Sequence, residues 1–400
     1  MFQPLKGVRV IDLSQVLAGP FATYQLGLLG AEVIKIEKPD GGDWTRIGDW
    51  VPALAEQNMG MAYIVQNANK KSVAIDLKRK EGLAAVDRLI AGADVFVENF
   101  KPGVAARLGL GFEDVRRTNP KIVYCSVSAF GQDGPFSDRP SYDHIVQGMC
   151  GIMLTTGEPG AGPTKVGSPY VDYATGMNAG MAVLAGLLEA RRTGEAVQLD
   201  VAMLDTALML MTALMSRTLS TDWKPERSGN EAWSASPSSG AFETALGTLM
   251  LAANNAPQFS RLCRAIGRED ILQDARWSTA AGRKTNAAPL RQTLSETFLT
   301  RSAAEWEAVL SAASVPAGRI RALDEILAEE HIATRGLTSP IEIDEYDRPI
   351  HIPAMTFKAN GQNHPNTRRP SKLGADTDEV LTAAGFSPDE LQRLRDAGVI

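Results

Sequence analysis

Asp172 is the residue whose type and setting best suit covalent chemistry. It lies in GSPYVDYATGMNAG, directly before a long apolar stretch that the sequence predicts to be helical. An Asp in this position can act as an N-cap and accept hydrogen bonds from the first N–H groups of the helix. A helix N-terminus favours the anionic carboxylate, and an ionised carboxylate can attack an activated acyl group without a partner base. Asp172 is therefore both a predicted N-cap and a candidate nucleophile.

A loop and a set of cations could bind a phosphorylated ligand. The loop is SQVLAGP (14–20), between a predicted strand and a predicted helix. Ligands of open α/β sheets bind at the carboxyl ends of the strands, where helix N-termini offer N–H groups to phosphates. The cations lie beside predicted strand ends, with ordinary solvated surface side chains as the alternative; they are Lys38, Lys70, Lys71, Lys78, Lys101, Arg107 and Arg139.

Other kinds of site lack their residue patterns. No G-x-S-x-G motif occurs, and metal-ligand spacing is absent from the four histidines, so we expect no metal; they are His144, His331, His351 and His364. Cys125, Cys150 and Cys263 are predicted to be structural. A dinucleotide-binding fold would place Glu37 on a ribose, but glycines at 19, 27 and 30 do not give G-x-G-x-x-G spacing. This disfavours a nicotinamide-dependent oxidoreductase.

The elements that must position these residues alternate between strand and helix. Strands are predicted at 8–13, 32–37, 72–77, 94–99 and 121–130, with helical stretches between them, such as 20–30. This order indicates a parallel sheet with crossover helices, and the first unit resembles half of a doubly wound fold. The pattern turns helical from about 173 to 217. Residues 218–240 are rich in Ser, Pro and Gly and are predicted to be a linker or mobile loop, followed by a second set of elements over 241–330.

Composition excludes several classes of protein. The 400 residues suggest two or three domains, and a net charge of −6 gives no electrostatic footprint for nucleic acid. The three cysteines fit a reducing cytosol, and the first residues show no secretion signal. The most apolar segments, 179–188 and 201–215, are too short or too charged to span a membrane and are predicted to be buried helices. We therefore expect a cytoplasmic protein without membrane or nucleic-acid partners.

Several segments together resemble the class III CoA-transferases. They are LKGVRVIDLSQVLAGPFATYQLGLLGAEVIKIEKPDGGD, NKKSVAIDLK, ADVFVENFKPGVAARLGLG, SAFGQDGP, YDHIVQGMCG, the Asp172 segment, ARRTGEAVQLDVAMLD and VPAGRI. The resemblance covers essentially the whole chain. It implies an α/β fold with a Rossmann-like, doubly wound large domain, an inserted smaller α/β domain and an interlocked homodimer. The expected boundaries are 1–217 for the first part of the large domain, 218–240 for the linker, 241–330 for the small domain and 331–400 for the return to the large domain.

The resemblance also implies an activity and a set of site residues. The enzyme would move CoA from an acyl-CoA to a carboxylic acid through an aspartyl anhydride and thioester, with coenzyme A as substrate and no permanently bound cofactor. Asp172 falls on the catalytic aspartate and Tyr142 on an active-site tyrosine. Positions expected to bind CoA, among which we include Arg139 from the cations above and Tyr142, are Val16, Leu17, Ala18, Lys38, Ile75, Asp76, Leu77, Lys78, Asn99, Phe100, Lys101 and Arg107.

Two departures from the family pattern bear on the activity. The related alpha-methylacyl-CoA racemase uses a His and a Glu as bases, and here these positions hold Tyr142 and Ala256, which favours transfer over racemisation. The active-site Gln of formyl-CoA transferase corresponds to Leu17, and its glycine-rich loop corresponds only loosely to 228–240. A formyl or oxalyl substrate is thus disfavoured.

Several alternatives stay open on the sequence. They are an acyl-CoA racemase or isomerase, an intramolecular CoA-transferase acting on a diacid, and a non-catalytic CoA-binding protein. The family's range suggests short-chain dicarboxylates as substrates, with Arg46 or Arg227 as carboxylate clamps. Backbone amides near Asp172 or in 228–240 are the candidate oxyanion donors.

Overall fold

The computed structural model describes residues 2–48, 50–232, 234–344, 346–363 and 368–400. The chain divides into two compact units. The first contains Met1–Ile152, Lys165–Trp223 and His331–Ile400, and the second contains Met153–Thr164 and Lys224–Glu330. The sequence-based boundaries placed 153–164 in the large domain, whereas the structure groups this short segment with the smaller unit.

Strands and helices alternate through the first part of the chain. The strands are β1 (Arg9–Asp12), β2 (Glu32–Glu37), β3 (Lys70–Ala74), β4 (Val95–Glu98), β5 (Val123–Ser128), β6 (Val197–Ala202), β7 (Ser239–Glu243), β8 (Thr248–Ala252), β9 (Ala317–Arg319), β10 (Thr338–Ile341) and β11 (Ile350–Pro353). The helices are α1 (Ala18–Leu28), α2 (Pro52–Ala55), α3 (Met61–Asn67), α4 (Lys80–Ala91), α5 (Val104–Arg107), α6 (Phe112–Thr118), α7 (Asp143–Cys150), α8 (Ile152–Thr155), α9 (Tyr170–Thr193), α10 (Met203–Leu210), α11 (Thr212–Ser220), α12 (Ala256–Ala265), α13 (Asp270–Gln273), α14 (Ala280–Thr285), α15 (Ala287–Phe298), α16 (Ala303–Ala312), α17 (Leu323–Leu327), α18 (Glu330–Arg335), α19 (Thr377–Ala383) and α20 (Pro388–Asp396).

The first unit contains a six-stranded parallel sheet in the order β3-β2-β1-β4-β5-β6. The five strands predicted from the sequence are all present in it. The sixth, β6, was not predicted, because the pattern over about 173–217 was interpreted as helical. Its burial alternates over Val197–Asp200, as in a half-exposed edge strand, so its apolar signal becomes continuous only at Val201. The order of strands reverses between β1 and β4, which makes this position the topological switch point.

Helices cover both faces of the sheet. Alternate residues of β1 and β2 point to opposite faces: Val10 and Val33 pack with α1 and α9, whereas Ile11 and Ile34 pack with α4, α6, α19 and α20. Burial on both faces explains why these strands are nearly continuous apolar runs in the sequence. The C-terminal helix α20 begins with a capping box, in which Ser387 and Glu390 satisfy each other's backbone N–H groups.

The second unit has its own core around the antiparallel strands β7, β8 and β9. Phe242, Phe259, Phe298 and Trp306 fill it. The segment predicted as a linker, 218–240, is partly regular, since α11 extends to Ser220 and β7 begins at Ser239. In the parts of the chain that the structure describes, no helix combines the length and apolar character needed to cross a membrane.

Candidate active site

The loop between β1 and α1 lies at the switch point and has a strained backbone. Val16 has φ of 73°, in the left-handed region that a β-branched residue rarely adopts. Such a conformation costs on the order of 1–3 kcal/mol and persists only where the surroundings hold it. The surroundings here are specific, because the Ser14 N–H and hydroxyl donate to Asp12 and the Val16 N–H donates to Asp43 at 3.2 Å. The loop expected to bind CoA is thus fixed in advance.

Asn99, at the end of β4, fixes the same loop from the other side of the switch point. Its side-chain oxygen accepts from the Gln15 N–H at 2.8 Å, and its amide nitrogen donates to the Gln15 carbonyl at 2.7 Å. The neighbouring Phe100 N–H donates to Glu98 at 2.7 Å. In this structure the Asn99 side chain therefore positions the loop, which is a different task from the direct CoA contact implied by the resemblance.

Buried ion pairs lie beneath the Val16 loop and hold the residues that anchor it. Lys70 contacts Asp12 at 3.0 Å, Lys35 contacts Asp43 at 3.2 Å, and the side chains of all four are at most 1% exposed. Lys35 also donates to the Ser14 carbonyl at 2.6 Å. Lys70 was a candidate for contact with a phosphorylated ligand, and this prediction is wrong because its ammonium group is buried and hydrogen-bonded inside the protein. Lys71, another of the cations predicted to bind a phosphorylated ligand, forms ion pairs with half-buried Glu32 and exposed Glu379.

Glu37 and Arg46 form another buried pair. Two guanidinium nitrogens of Arg46 donate to the Glu37 carboxylate at 2.8 and 2.7 Å, and both side chains are at most 1% exposed. Burial alone would raise the pKa of Glu37, but Arg46 and Lys35 outweigh it and lower this pKa to about 2. Glu37 is therefore not available to a ribose, and the interpretation of Arg46 as a clamp for a substrate carboxylate is wrong.

Exposed cations follow the carboxyl ends of the central strands. Lys38 follows β2, Lys78 follows β3, and Lys101 and Arg107 follow β4; all four are exposed. Because the strands are parallel, these side chains belong to the same edge of the sheet as the Val16 loop. Arg139 is also exposed and stacks on Phe136 at 4.0 Å.

The predicted stretch from Ile75 to Lys78 is divided between core and surface. The Ile75 side chain is fully buried in the apolar core, so it cannot contact a ligand. Leu77 packs against the same core, and Asp76 accepts a hydrogen bond from the Lys78 N–H. Only the end of this stretch therefore faces solvent.

Asp172 is brought beside the Val16 loop by the packing of α9 against α1. The helices approach so closely that a Cβ on Gly176 would lie 2.7 Å from the Ala18 carbonyl oxygen, a distance that only glycine permits. One turn further along, Gly180 faces Ala22, so the two helices run in the same direction. Asp172 lies one turn before Gly176, at the level of the residues that precede Ala18. The nucleophile candidate and the loop thus share one edge of the sheet.

Asp172 is not the N-cap of its helix, contrary to the sequence-based prediction. Pro169 occupies the N-cap position and Asp172 lies in the first turn. The capping acceptor is Asp143 of α7, whose carboxylate accepts from the Val171 N–H at 2.8 Å and the Asp172 N–H at 3.1 Å. These two amides are therefore not available as oxyanion donors. Tyr142 directly precedes α7 and its side chain is 61% exposed.

The Asp172 carboxyl is an unusually weak acid for an aspartate. Burial and, after it, the negative charge of Asp143 raise its pKa to about 7. These effects outweigh the helix N-terminus, which by itself would favour the anion. At neutral pH the group is consequently divided between acid and carboxylate, whereas the sequence predicted a fully ionised nucleophile.

We predict that this pKa makes Asp172 costly for stability at alkaline pH. The folded-state pKa lies above the ordinary value of 3.8, so the stabilising neutral form is lost as pH rises from about 4 through 7. Asp172→Asn should therefore be about 2–4 kcal/mol more stable than the wild type at pH 8. Below pH 4 the two should be nearly equal. Urea unfolding of both proteins from pH 4 to 8 measures this, and a constant difference across the range would contradict it.

We further predict that Asn99→Ala weakens CoA-thioester binding. Losing two hydrogen bonds to Gln15 frees the loop, and at about 0.5–1.5 kcal/mol each this should raise KM for acyl-CoA roughly tenfold, with kcat changed less than about threefold. Steady-state kinetics measures the split. The control is Asn119→Ala, since the Asn119 amide donates to Ile90 and Ala93 carbonyls at the opposite edge of the sheet. An unchanged KM in Asn99→Ala would contradict the role assigned to the loop.

Two of the predicted site features, Arg227 and the segment 228–240, belong to the second unit. Arg227 donates to the Met153, Thr156 and Ala161 carbonyls inside the second unit, so its guanidinium is engaged by backbone and not free to clamp a carboxylate. Residues 228–240 belong to this same unit, with Trp233 outside the described residues.

The three cysteines are buried, and burial raises the pKa of the Cys125 thiol to about 12. No cluster of three His, Cys, Asp or Glu side chains able to hold a metal is present in the described ranges, which omit His364.

Sequence reasoning missed Asp143 and the buried ion pairs. The pairs left a signal, because Lys35 and Glu37 are charged residues inside the otherwise apolar strand EVIKIE. A charge in a strand buried on both faces requires a partner. Asp143 left no comparable signal, because its role depends on a helix that begins 27 residues later.

Known proteins similar to this chain identify its family. Residues 5–377 match the model of CoA-transferase family III. Over 387 residues the chain is 40% identical to the succinate–glutarate CoA-transferase of Agrobacterium fabrum, covering 94% of this chain and 95% of that protein. Over 400 residues it is 34% identical to the succinyl-CoA:glutarate CoA-transferase of Mus musculus, covering 100% of this chain and 90% of that one.

The fold is also similar to a solved structure, that of a CAIB/BAIF family protein from Brucella suis. The TM-score is 0.82 at 31% identity, with 96% of this chain and 100% of the other covered. The six-stranded parallel sheet and the match over nearly the whole length show that the chain belongs to CoA-transferase family III and is an enzyme that transfers CoA between acyl-CoA thioesters and carboxylic acids.

Proposed function

We propose that this enzyme exchanges CoA between short-chain dicarboxylic acids, with Asp172 as the covalent nucleophile. The observation that supports the proposal is the close packing of α9 on α1 at Gly176 and Ala18, which sets the first turn of α9, with Asp172, toward the end of α1 that follows the preorganised Val16 loop. Succinate and glutarate are the acids named for the relatives from Agrobacterium fabrum and Mus musculus, and they are the first substrates to test.

In the first half-reaction the ionised Asp172 attacks the thioester carbonyl of the donor acyl-CoA. The C–S bond breaks, leaving a mixed anhydride on Asp172 and CoA thiolate. The thiolate attacks the aspartyl carbonyl of the anhydride, which releases the donor acid with one oxygen from Asp172 and leaves an enzyme–CoA thioester. Exposed Lys38, Lys78, Lys101 and Arg107 supply positive charge for the CoA phosphates along the same sheet edge.

The second half-reaction is the reverse with a new acid. The acceptor carboxylate attacks the enzyme thioester, and thiolate then attacks the acceptor carbonyl of the resulting anhydride. Acyl-CoA of the acceptor leaves, and Asp172 is regenerated with one oxygen from the acceptor. The oxyanion donors must be groups other than the Val171 and Asp172 N–H groups, because these two donate to the Asp143 carboxylate.

The dimer and domain layout implied by the resemblance are part of this proposal. Apolar side chains on α9 to α11 are exposed in the single chain: Met181 is 64%, Leu188 70% and Leu219 81% exposed. A homodimer interlocked through these helices would bury them. The three unpaired cysteines support a reducing, cytoplasmic setting.

Oxygen-18 transfer tests the covalent route. In a single turnover with labelled glutarate and succinyl-CoA, we expect one labelled oxygen in the peptide that contains Asp172, and label in succinate after the next turnover. Unlabelled Asp172 and succinate would overturn the route. Mass spectrometry of several acyl-CoA donors against a mixed acid pool tests the substrate class, and we expect C4 and C5 diacids to exceed monocarboxylates at least tenfold. Solvent deuterium entering the acyl group without any acceptor would indicate a racemase instead.

A further inference from the structure

Asp143, together with Gln147, connects α7 to the start of α9 and to the segment before α9. Its Oδ2 accepts from the Val171 and Asp172 N–H groups at the start of α9, and its Oδ1 accepts from Gln147 Nε2 at 2.6 Å. The Gln147 side-chain oxygen in turn accepts from the Val166 N–H at 2.9 Å. Asp143 is 7% exposed and Gln147 is fully buried. This series of hydrogen bonds fixes the backbone that carries Asp172 relative to α7 and to the segment before α9.

Charged and titratable groups of both signs lie on α9 and on the elements packed against it. The elements packed against α9 are α1, α7, α10, β5 and β6. Within their described residues and α9 itself, the basic side chains are His144 on α7 and Arg191 and Arg192 at the far end of α9. The remaining titratable groups are Tyr24, Tyr124, Cys125, Asp143, Cys150, Tyr170, Tyr173, Glu189, Asp200 and Asp205. Lys165, in the segment before α9, donates to the Val166 and Gly167 carbonyls. Asp143 is the charged group that acts most directly on Asp172.

We propose that Asp143 is a positioning residue for the nucleophile: it fixes the first turn of α9, and its negative charge favours conversion of the Asp172 carboxylate into the uncharged acyl form. This inference rests on the proposed covalent function. Acylation replaces the carboxylate by a neutral thioester, and the negative charge departs with the donor acid. The repulsion between the two carboxylates is relieved when that acid leaves, so the covalent intermediate is stabilised relative to the free enzyme.

The same repulsion must act on protonation and on acylation, because both remove the charge of Asp172. Removing the Asp143 charge should therefore move the acidic limb of kcat/KM to lower pH and reduce the ratio of enzyme–CoA thioester to free enzyme. The two changes should match in size: a limb shift of about one pH unit predicts a roughly tenfold fall in that ratio. Replacing a residue with a merely structural role would not change the acidic limb and the thioester ratio by matching amounts.

Two variants separate charge from hydrogen bonding. Asp143→Asn keeps an oxygen for the α9 amides, but its Nδ2 then faces Gln147 Nε2, a second donor. The double variant Asp143→Asn, Gln147→Glu restores the pattern, since the Glu can accept from both Asn Nδ2 and the Val166 N–H. The double variant also moves the negative charge from position 143 to position 147, which is one side chain further from Asp172. Asp205→Asn, an exposed carboxylate on α10, is the matched control.

The experiment measures pH profiles of kcat/KM and the equilibrium fraction of enzyme–CoA thioester by intact-protein mass spectrometry. In the double variant we expect the acidic limb about one pH unit lower and the thioester ratio roughly tenfold lower, with Asp205→Asn unchanged. Return of both quantities to wild-type values in the double variant would overturn the charge role. An unfolded double variant would overturn the positioning role, because the restored hydrogen bonds should suffice to fix the first turn of α9. Absence of any thioester in the wild type would instead overturn the proposed function.

Discussion

Asp172→Asn is expected to reduce the rate of CoA transfer at least about a thousandfold. The amide is nearly the same size as the carboxylate but is a poor nucleophile toward a thioester, and it cannot form the anhydride. The Val16 loop and the exposed cations are untouched by the change, so the Kd for acyl-CoA should change less than about threefold. Initial rates with succinyl-CoA and glutarate, together with calorimetric titration of a CoA thioester, measure the two effects separately.

The control for this variant is Asp205→Asn, which neutralises an exposed carboxylate on a helix packed against α9. It should keep transfer within about twofold of the wild type. A transfer rate in Asp172→Asn within tenfold of the wild type would refute covalent catalysis by this residue. Loss of acyl-CoA binding along with activity would indicate that Asp172 serves binding and not chemistry.

Arg46→Met is expected to lower the free energy of unfolding by about 3–5 kcal/mol at pH 7. The Arg46 side chain is fully buried, donates twice to Glu37 and lies 3.8 Å over the Tyr63 ring. Met fills part of the space but leaves the Glu37 carboxylate buried without its guanidinium partner. Urea unfolding at pH 7 measures the loss. Arg192→Met, which breaks an exposed pair with Glu189, is the matched control and should change stability by less than about 0.5 kcal/mol.

The pH dependence of this loss has a defined sign. The folded-state pKa of Glu37 is about 2, below its ordinary value of 4.5, so the stability that it contributes is present above pH 4.5 and is lost as pH falls toward 2. The difference between the wild type and Arg46→Met should therefore shrink in acid, where Glu37 becomes protonated in both proteins. A loss below 1 kcal/mol at pH 7, or one that grows in acid, would contradict the buried-pair interpretation.

The sequence by itself determined the scaffold and the location of the proposed nucleophile. Strands buried on both faces of a sheet are apolar over most of their length, so β1, β2, β4 and β5 are visible in local composition. The helix after Asp172 is evident from a long apolar stretch that ends at Arg191, Arg192 and Gly194, and α9 does end at Thr193. The family match rests on motifs that are likewise contiguous. Signals of this kind depend on neighbours along the chain, and one sequence contains them.

Only the tertiary structure decided which polar groups meet. Asn99 and Gln15 are 84 residues apart, Lys70 and Asp12 are 58 apart, and Asp143 and Asp172 are 29 apart. Composition cannot reveal such pairs, because each depends on how the crossovers bring strand ends and helix starts together. The acidity of the proposed nucleophile was decided in the same way. The sequence placed Asp172 at a helix N-terminus and predicted a fully ionised carboxylate, but folding partly buries it next to Asp143, and desolvation with like-charge repulsion outweighs the helix.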